Sequence, residues 1–117
     1  SYFGRQQHPT IKSVEIVNNG IDISTDQNAN VRAVFQGTVV GTQYIPGFDY
    51  MVILKHGDYY TVYSNLEEVA VRKGEKVELQ QTIGKVSTDR KTNTSEVHFE
   101  IWKEKSRLDP AKWVGSK

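Results

Sequence analysis

A chain of 117 residues is long enough for one hydrophobic core and too short for two. Fifteen basic against fourteen acidic side chains leave a formal charge of +1, without the basic excess that nucleic-acid binding draws on. Cysteine is absent, which removes disulfides, thiolate metal sites and a cysteine nucleophile, and no apolar run reaches the roughly 20 residues of a membrane-spanning helix.

Taken in order, the opening SYFGRQQHPT lacks the apolar segment of a signal peptide. Beyond it, apolar residues fall in short runs rich in Val, Ile, Tyr and Phe, broken by Gly, Asn and Asp, and this predicts an all-β chain. The first strands are expected over 14–17, 20–23, 31–35 and 38–41. Residues 42–49, with Pro46 and Gly47, read as a loop. Strands over 50–55 and 59–64 form an antiparallel hairpin around His56, Gly57 and Asp58, where Gly57 supplies the positive φ of a tight turn. Strands over 76–79 and 82–86 follow, then a polar loop over 87–95 and a last strand over 96–103. Pro110 opens a short helical turn that leaves Trp113 to cover an end of the sheet. No internal repeat or heptad pattern is present, and the chain reads as one domain over 1–117, excised from a longer protein.

Alternation in the last strand puts Glu96, His98 and Glu100 on one face and Val97, Phe99 and Ile101 on the core side. A slip of one residue would bury the charges, so this register is well specified. The same rule sends Tyr59 and Tyr63 to one face and Tyr60 to the other.

The segments FGRQQHP, NNGIDI, VRAVFQGTVV, VILKHGDYYTVYSNL, VAVRKGEKVELQQTIGKV, SEVHFEIW and LDPAKWV occur in this order. Together the chain resembles the LytM or lysostaphin-type zinc endopeptidases over nearly its whole length. The resemblance implies an antiparallel β-sheet domain of the duplicated hybrid motif type, with long loops bordering a groove. Active members hold zinc with the His and Asp of a His-x-x-x-Asp motif and the second His of His-x-His, leaving a position open for water. On this chain those ligand positions carry Asn18, Asp22 and His98. The first His of His-x-His, which assists proton transfer, falls on Glu96, and the His of a Tyr-x-His-Leu block falls on Asn65.

A neutral amide is a poor zinc ligand beside imidazole, so the resemblance implies a degenerate site with no catalytic residue, no metal and no cofactor. It is similar to the murein hydrolase activators of the EnvC and NlpD type. These imply a partner, a peptidoglycan amidase (N-acetylmuramoyl-L-alanine amidase), docked in the vestigial groove and switched on in cell-wall remodelling or cell division in the periplasm. The docking residues would then be Asn18, Asp22, Asn65, Glu96 and His98, with rims over 42–49 and 87–95 and contacts from Arg90 and Lys91. Peptidoglycan itself is a further possible ligand. Two other functions stay open: an active endopeptidase cutting cross-bridges with Glu96 as general base, and a module that holds peptidoglycan without cutting it. Each residue also has a plainer reading, Asp22 as an acceptor at a strand end and His98 as a polar residue on a solvated face. His56 and His8 offer no substitute ligand. Gln6 and Gln80 depart from the Arg and Gly common in the family.

Overall fold

The structure, a computed structural model, describes residues 10–17 and 20–108, with side chains placed for 14–17 and 20–104. Ten strands follow one another in this part of the chain: β1 (Thr10–Ile16), β2 (Ile21–Thr25), β3 (Asn30–Arg32), β4 (Gly37–Ile45), β5 (Asp49–His56), β6 (Tyr59–Val69), β7 (Lys76–Val77), β8 (Thr82–Val86), β9 (Thr88–Asp89) and β10 (Thr94–Leu108). All pairings are antiparallel, and no described residue is helical. Residues 109–117, including the expected turn at Pro110 and its Trp113, lie outside the described part, as do His8 and Asn18.

The main sheet runs β1-β10-β6-β5-β4-β7, with β2 also paired to β10. Thus β1 and β2 lie end to end along one side of β10, against residues 102–108 and 95–99. β6 lines the opposite side, pairing Ser64 with His98 and Tyr60 with Trp102. Past a bulge, the second half of β6 pairs with β8, which in turn carries β3.

Sheet alternation explains the core. Val39, Val52, Leu54, Tyr63, Val97 and Phe99 project from one face and pack with Val31, Leu66, Val71, Val77, Ile83 and Val86. Their burial removes most of their apolar surface from water, about 1.5–3 kcal/mol for each large side chain before the entropy of ordering is counted. The expected register of β10 holds: Val97 and Phe99 are buried while Glu96, His98 and Glu100 stand on the other face. Tyr59 and Tyr63 share a side of β6 but not an environment. Tyr63 is buried and meets Phe99 edge-on at 5.4 Å, whereas Tyr59 is exposed at the strand's end.

Several expected boundaries move. Residues 42–45 are strand, because β4 continues to Ile45 and pairs Tyr44 with Tyr50, whose rings meet edge-on at 5.1 Å. Only 46–48 form the turn, closed by Phe48 N–H donating to Ile45 O at 2.9 Å, with Gly47 at φ 89° and Asp49 at φ 58°. Exposure on both sides deprives this ribbon of an apolar alternation, hence its loop-like sequence. The polar stretch 87–95 contains β9 and the start of β10, joined by a turn with Asn93 at φ 57°. His56 ends β5 and is not in the turn. Its Nδ1 lies 2.6 Å from Gln36 O and its Nε2 2.7 Å from Thr61 Oγ1, which is 2.9 Å from the Tyr63 hydroxyl. That hydroxyl accepts from Val34 N–H at 3.1 Å. The chain of contacts satisfies buried Thr61 and ties the 34–37 segment to the β5–β6 hairpin, a structural role for this histidine.

Candidate functional site

The face of the sheet opposite the core carries a row across three strands. Register sets Asp22 of β2 opposite His98 of β10, and Ser64 of β6 opposite His98 on its other side. His98 is clamped between two carboxylates, with Nδ1 2.8 Å from Asp22 Oδ1 and Nε2 2.8 Å from Glu100 Oε2. Glu100 is fixed in turn by Trp102, whose indole N–H donates to Oε1 at 2.8 Å. Carboxylates only accept, so both bonds are complete only when both ring nitrogens carry protons. The hydrogen bond to Asp22 and then that to Glu100 hold the His98 pKa above its ordinary value against the smaller opposing effect of burial. The Trp102 N–H first, and the His98 ring second, hold the Glu100 carboxyl below its ordinary value.

Gly20 covers this clamp. It sits at φ +85°, and a Cβ there would lie 2.7 Å from His98 Cε1 and 2.8 Å from Nε2. Backbone conformation and contact both require glycine at this one position.

Asn65 occupies the bulge of β6 against β5 at φ 69°, a left-handed conformation that Asn tolerates better than most residues. Its side-chain N–H donates to Glu96 O at 2.6 Å, its backbone N–H donates to Phe48 O at 3.1 Å, and its carbonyl accepts from Ser87 N–H at 2.9 Å. The residue therefore joins the β4–β5 turn, the end of β8 and β10. Sequence reasoning placed Asn65 in the groove but missed this joining role, for which a polar residue inside the apolar run of β6 was the available signal.

Two depressions open beside this bulge. One, of about 280 Å³, is lined by Asp22, Phe48, Ser64, Asn65, Glu96 and His98. The other, of about 260 Å³, includes Asp49, Asn65, Ser87, Asp89, Thr94 and Glu96. They share Gly47, Asn65 and Glu96, so together they form one groove divided by the Asn65–Glu96 contact. Of the expected site residues, Asp22, Asn65, Glu96 and His98 converge here. Arg90 and Lys91 stand exposed on the β9–β10 turn and line neither depression. Phe48, exposed by 62 %, is a wall of the groove that sequence reasoning included only within a rim.

The fit to a zinc ion is incomplete. Asp22 and His98 offer adjacent donors, and a carboxylate behind the second ring nitrogen is the support that metal-bound histidines usually have. Among the described residues no three of His, Asp or Glu are grouped to hold a metal, and the family resemblance implies Asn18, whose neutral amide is a weak ligand, at the remaining position.

An antiparallel sheet whose groove brings Asp22 and His98 together beside an amide and a further carboxylate defines a lysostaphin-type fold. The chain belongs to Peptidase family M23, whose family model matches residues 16–110. Stage II sporulation protein Q of Bacillus subtilis (strain 168) is 34 % identical over 90 % of this chain and 39 % of its own length. Peptidoglycan DD-endopeptidase ShyA of Vibrio cholerae is 32 % identical over 83 % of this chain and 23 % of its own length. The chain thus spans well under half of either relative. Among solved structures, the SpoIIQ–SpoIIIAH pore-forming complex aligns with a TM-score of 0.59 and 38 % identity, covering 64 % of this chain and 49 % of the other. Lysostaphin aligns with a TM-score of 0.63 over 70 % of this chain and 35 % of its own, and at 22 % identity this likeness concerns the fold.

Proposed function

We propose that this chain is a non-catalytic M23 domain of the cell envelope that binds a protein partner through the groove around Asn65, Glu96 and His98. The partner is a peptidoglycan amidase, which the bound domain activates during cell-wall remodelling. The observation that carries the reading is how the side chains of the groove are already engaged. Asn65 is committed to joining three backbone segments, and His98 is closed between Asp22 and Glu100. No group is left in the described groove with the freedom and basicity of the two catalytic histidines. Participation of a related chain in the SpoIIQ–SpoIIIAH complex supports a protein partner, and likeness to a peptidoglycan endopeptidase supports an envelope location. Such an activator does no chemistry: its binding energy favours the active state of an equilibrium already present in the amidase.

The test is amidase activity on purified peptidoglycan with and without the domain, together with capture from envelope extract. Stimulation that is weakened by Glu96→Ala and retained by Glu78→Ala supports the proposal. Capture of murein alone, with no stimulation, contradicts it. The second reading, a zinc endopeptidase, draws on the Asp22–His98–Glu100 row and on the likeness to ShyA. Zinc-dependent hydrolysis of stem or cross-bridge peptides, abolished by His98→Ala, would establish it instead.

A further inference from the structure

Beside the groove, one edge of the sheet is left open. Among the described residues β2 pairs with β10 alone. Val17 N–H donates to Ile101 O at 2.8 Å on that side of β10, and the Asn65 side chain donates to Glu96 O on the other, which fixes the phase of the strand. Odd residues of β10 therefore turn their N–H and C=O toward β1 and β2, and even ones toward β6. Across the register Phe99↔Ile21, Val97↔Ile23 and Ser95↔Thr25, it is Ile21, Ile23 and Thr25 whose backbones bond to β10. Asp22 and Ser24 point their backbone N–H and C=O away from the sheet, where they meet no backbone partner among the described residues. The strand IDIST has no proline, no lysine and no register shift to guard this edge, and its one charge, Asp22, is engaged by His98. On the core side Ile21 and Ile23 continue the row of Phe99 and Val97, yet they remain 52 % and 45 % exposed.

We infer that β2 pairs with β2 of a second copy of this chain, antiparallel and centred on Ile23, so that two sheets become one. The strand is complementary to itself in that register. Asp22 falls opposite Ser24 of the other copy, and each such pair exchanges its outward N–H···O=C bonds, which satisfies the open edge of both copies. Ile23 then faces its own counterpart in the close, non-hydrogen-bonded position, where the two half-exposed side chains cover each other. On the groove side a carboxylate stands opposite a hydroxyl, so no like charges are opposed. A strand of five residues buries less than the roughly 1,200 Å² of a stable interface, which makes this a dimer in rapid exchange. Its two-fold axis is perpendicular to the sheet, so both grooves open on the same face, with the two β10 strands roughly 14 Å apart across three strand spacings. The pairing is independent of what the groove binds, and it offers any groove ligand two sites related by symmetry.

The chain contains no cysteine, so a single introduced one reports on proximity. Opposed residues of a non-hydrogen-bonded pair have Cα atoms about 4.5 Å apart, within the range that a disulfide spans. Ile23→Cys is expected to form an interchain disulfide under mild oxidation about tenfold faster than Leu79→Cys, whose site is more exposed at 59 %. In the unmodified chain, raising the concentration to about 1 mM should shift the amides of Asp22 and Ser24, which gain hydrogen bonds, and slow overall tumbling in NMR relaxation. Ser24→Pro removes an outward N–H, leaves the bonds to β10 in place and should abolish both effects. Equal cross-linking of the two cysteine variants, or an unmodified chain that stays monomeric at about 1 mM, would overturn the pairing. So would association that moves other amides while those of Asp22 and Ser24 stay fixed. Amidase stimulation through the groove is read in a separate assay, so failure here leaves that proposal standing.

Discussion

Replacing Gly20 by alanine tests the geometry of the clamp from one side. At φ +85° an L-residue carries strain of about 1–2 kcal/mol, offset by roughly 0.4–1 kcal/mol gained from a stiffer unfolded chain. The added methyl would also sit 2.7–2.8 Å from the His98 ring, well inside contact distance, with Glu100 Cγ at 3.2 Å. The ring is the part able to move, and moving it breaks the bond from Nε2 to Glu100, worth about 1 kcal/mol at a partly exposed ionic site. The expected net loss is about 2 kcal/mol, or a Tm lower by roughly 8 °C for a chain of this size. Gly57→Ala supplies the control, because Gly57 has a similar φ of +65° and an added methyl there would meet nothing within 4 Å, so only the strain of about 1 kcal/mol applies. Thermal unfolding of both variants, with an NMR titration of the His98 ring, separates strain from contact. His98 in Gly20→Ala should titrate closer to an ordinary histidine. Equal Tm losses in the two variants, with the His98 titration unmoved, would refute the reasoning.

Three other outcomes are expected. The raised His98 pKa makes its stabilisation fully present below the unfolded value, about 6.5, and lost as pH rises through the folded pKa, while lowered Glu100 contributes above its unfolded value, about 4.3, and fails on acidification. Wild-type Tm should therefore fall relative to His98→Gln as pH rises above the unfolded value of about 6.5, measured by thermal scans at successively higher pH. Gln80 stands at φ 69°, and its bonds to Ala33 O and from Arg32 run through its backbone N–H and carbonyl, so Gln80→Gly should stabilise the fold by about 0.5–1 kcal/mol in chemical denaturation. Asn65→Ala should cost about 0.5–1 kcal/mol more than Asn65→Gly by the same measurement, since glycine keeps the left-handed backbone and both lose the bond to Glu96 O.

Much of this was legible in the chain itself. The alternation from Glu96 to Ile101 gave the register of β10, because one face of that strand meets the core and the other does not. The convergence of Asp22 with His98 followed from the family resemblance and from no local pattern, since they lie 76 residues apart. Gln80 in place of a common Gly was visible as a departure, and its positive φ supplies the reason a glycine suits that turn. Other features left no periodic trace. The outer half of β4 is largely exposed and contributes nothing to the core, so no apolar alternation in 42–45 distinguished strand from loop. The joining role of Asn65 depends on three segments distant in sequence, and Glu100 as the second arm of the clamp appeared only as one more charge on a solvated face.

The most direct test of a pseudo-peptidase groove is the zinc content of the purified chain, measured by elemental analysis after equilibration with trace zinc and dialysis. The proposed reading puts Asn18 in place of a histidine ligand, so Asp22 and His98 should retain far less than one zinc per chain, and His98→Ala should change the value little. One tightly held zinc per chain, lost in His98→Ala, would contradict the non-catalytic reading.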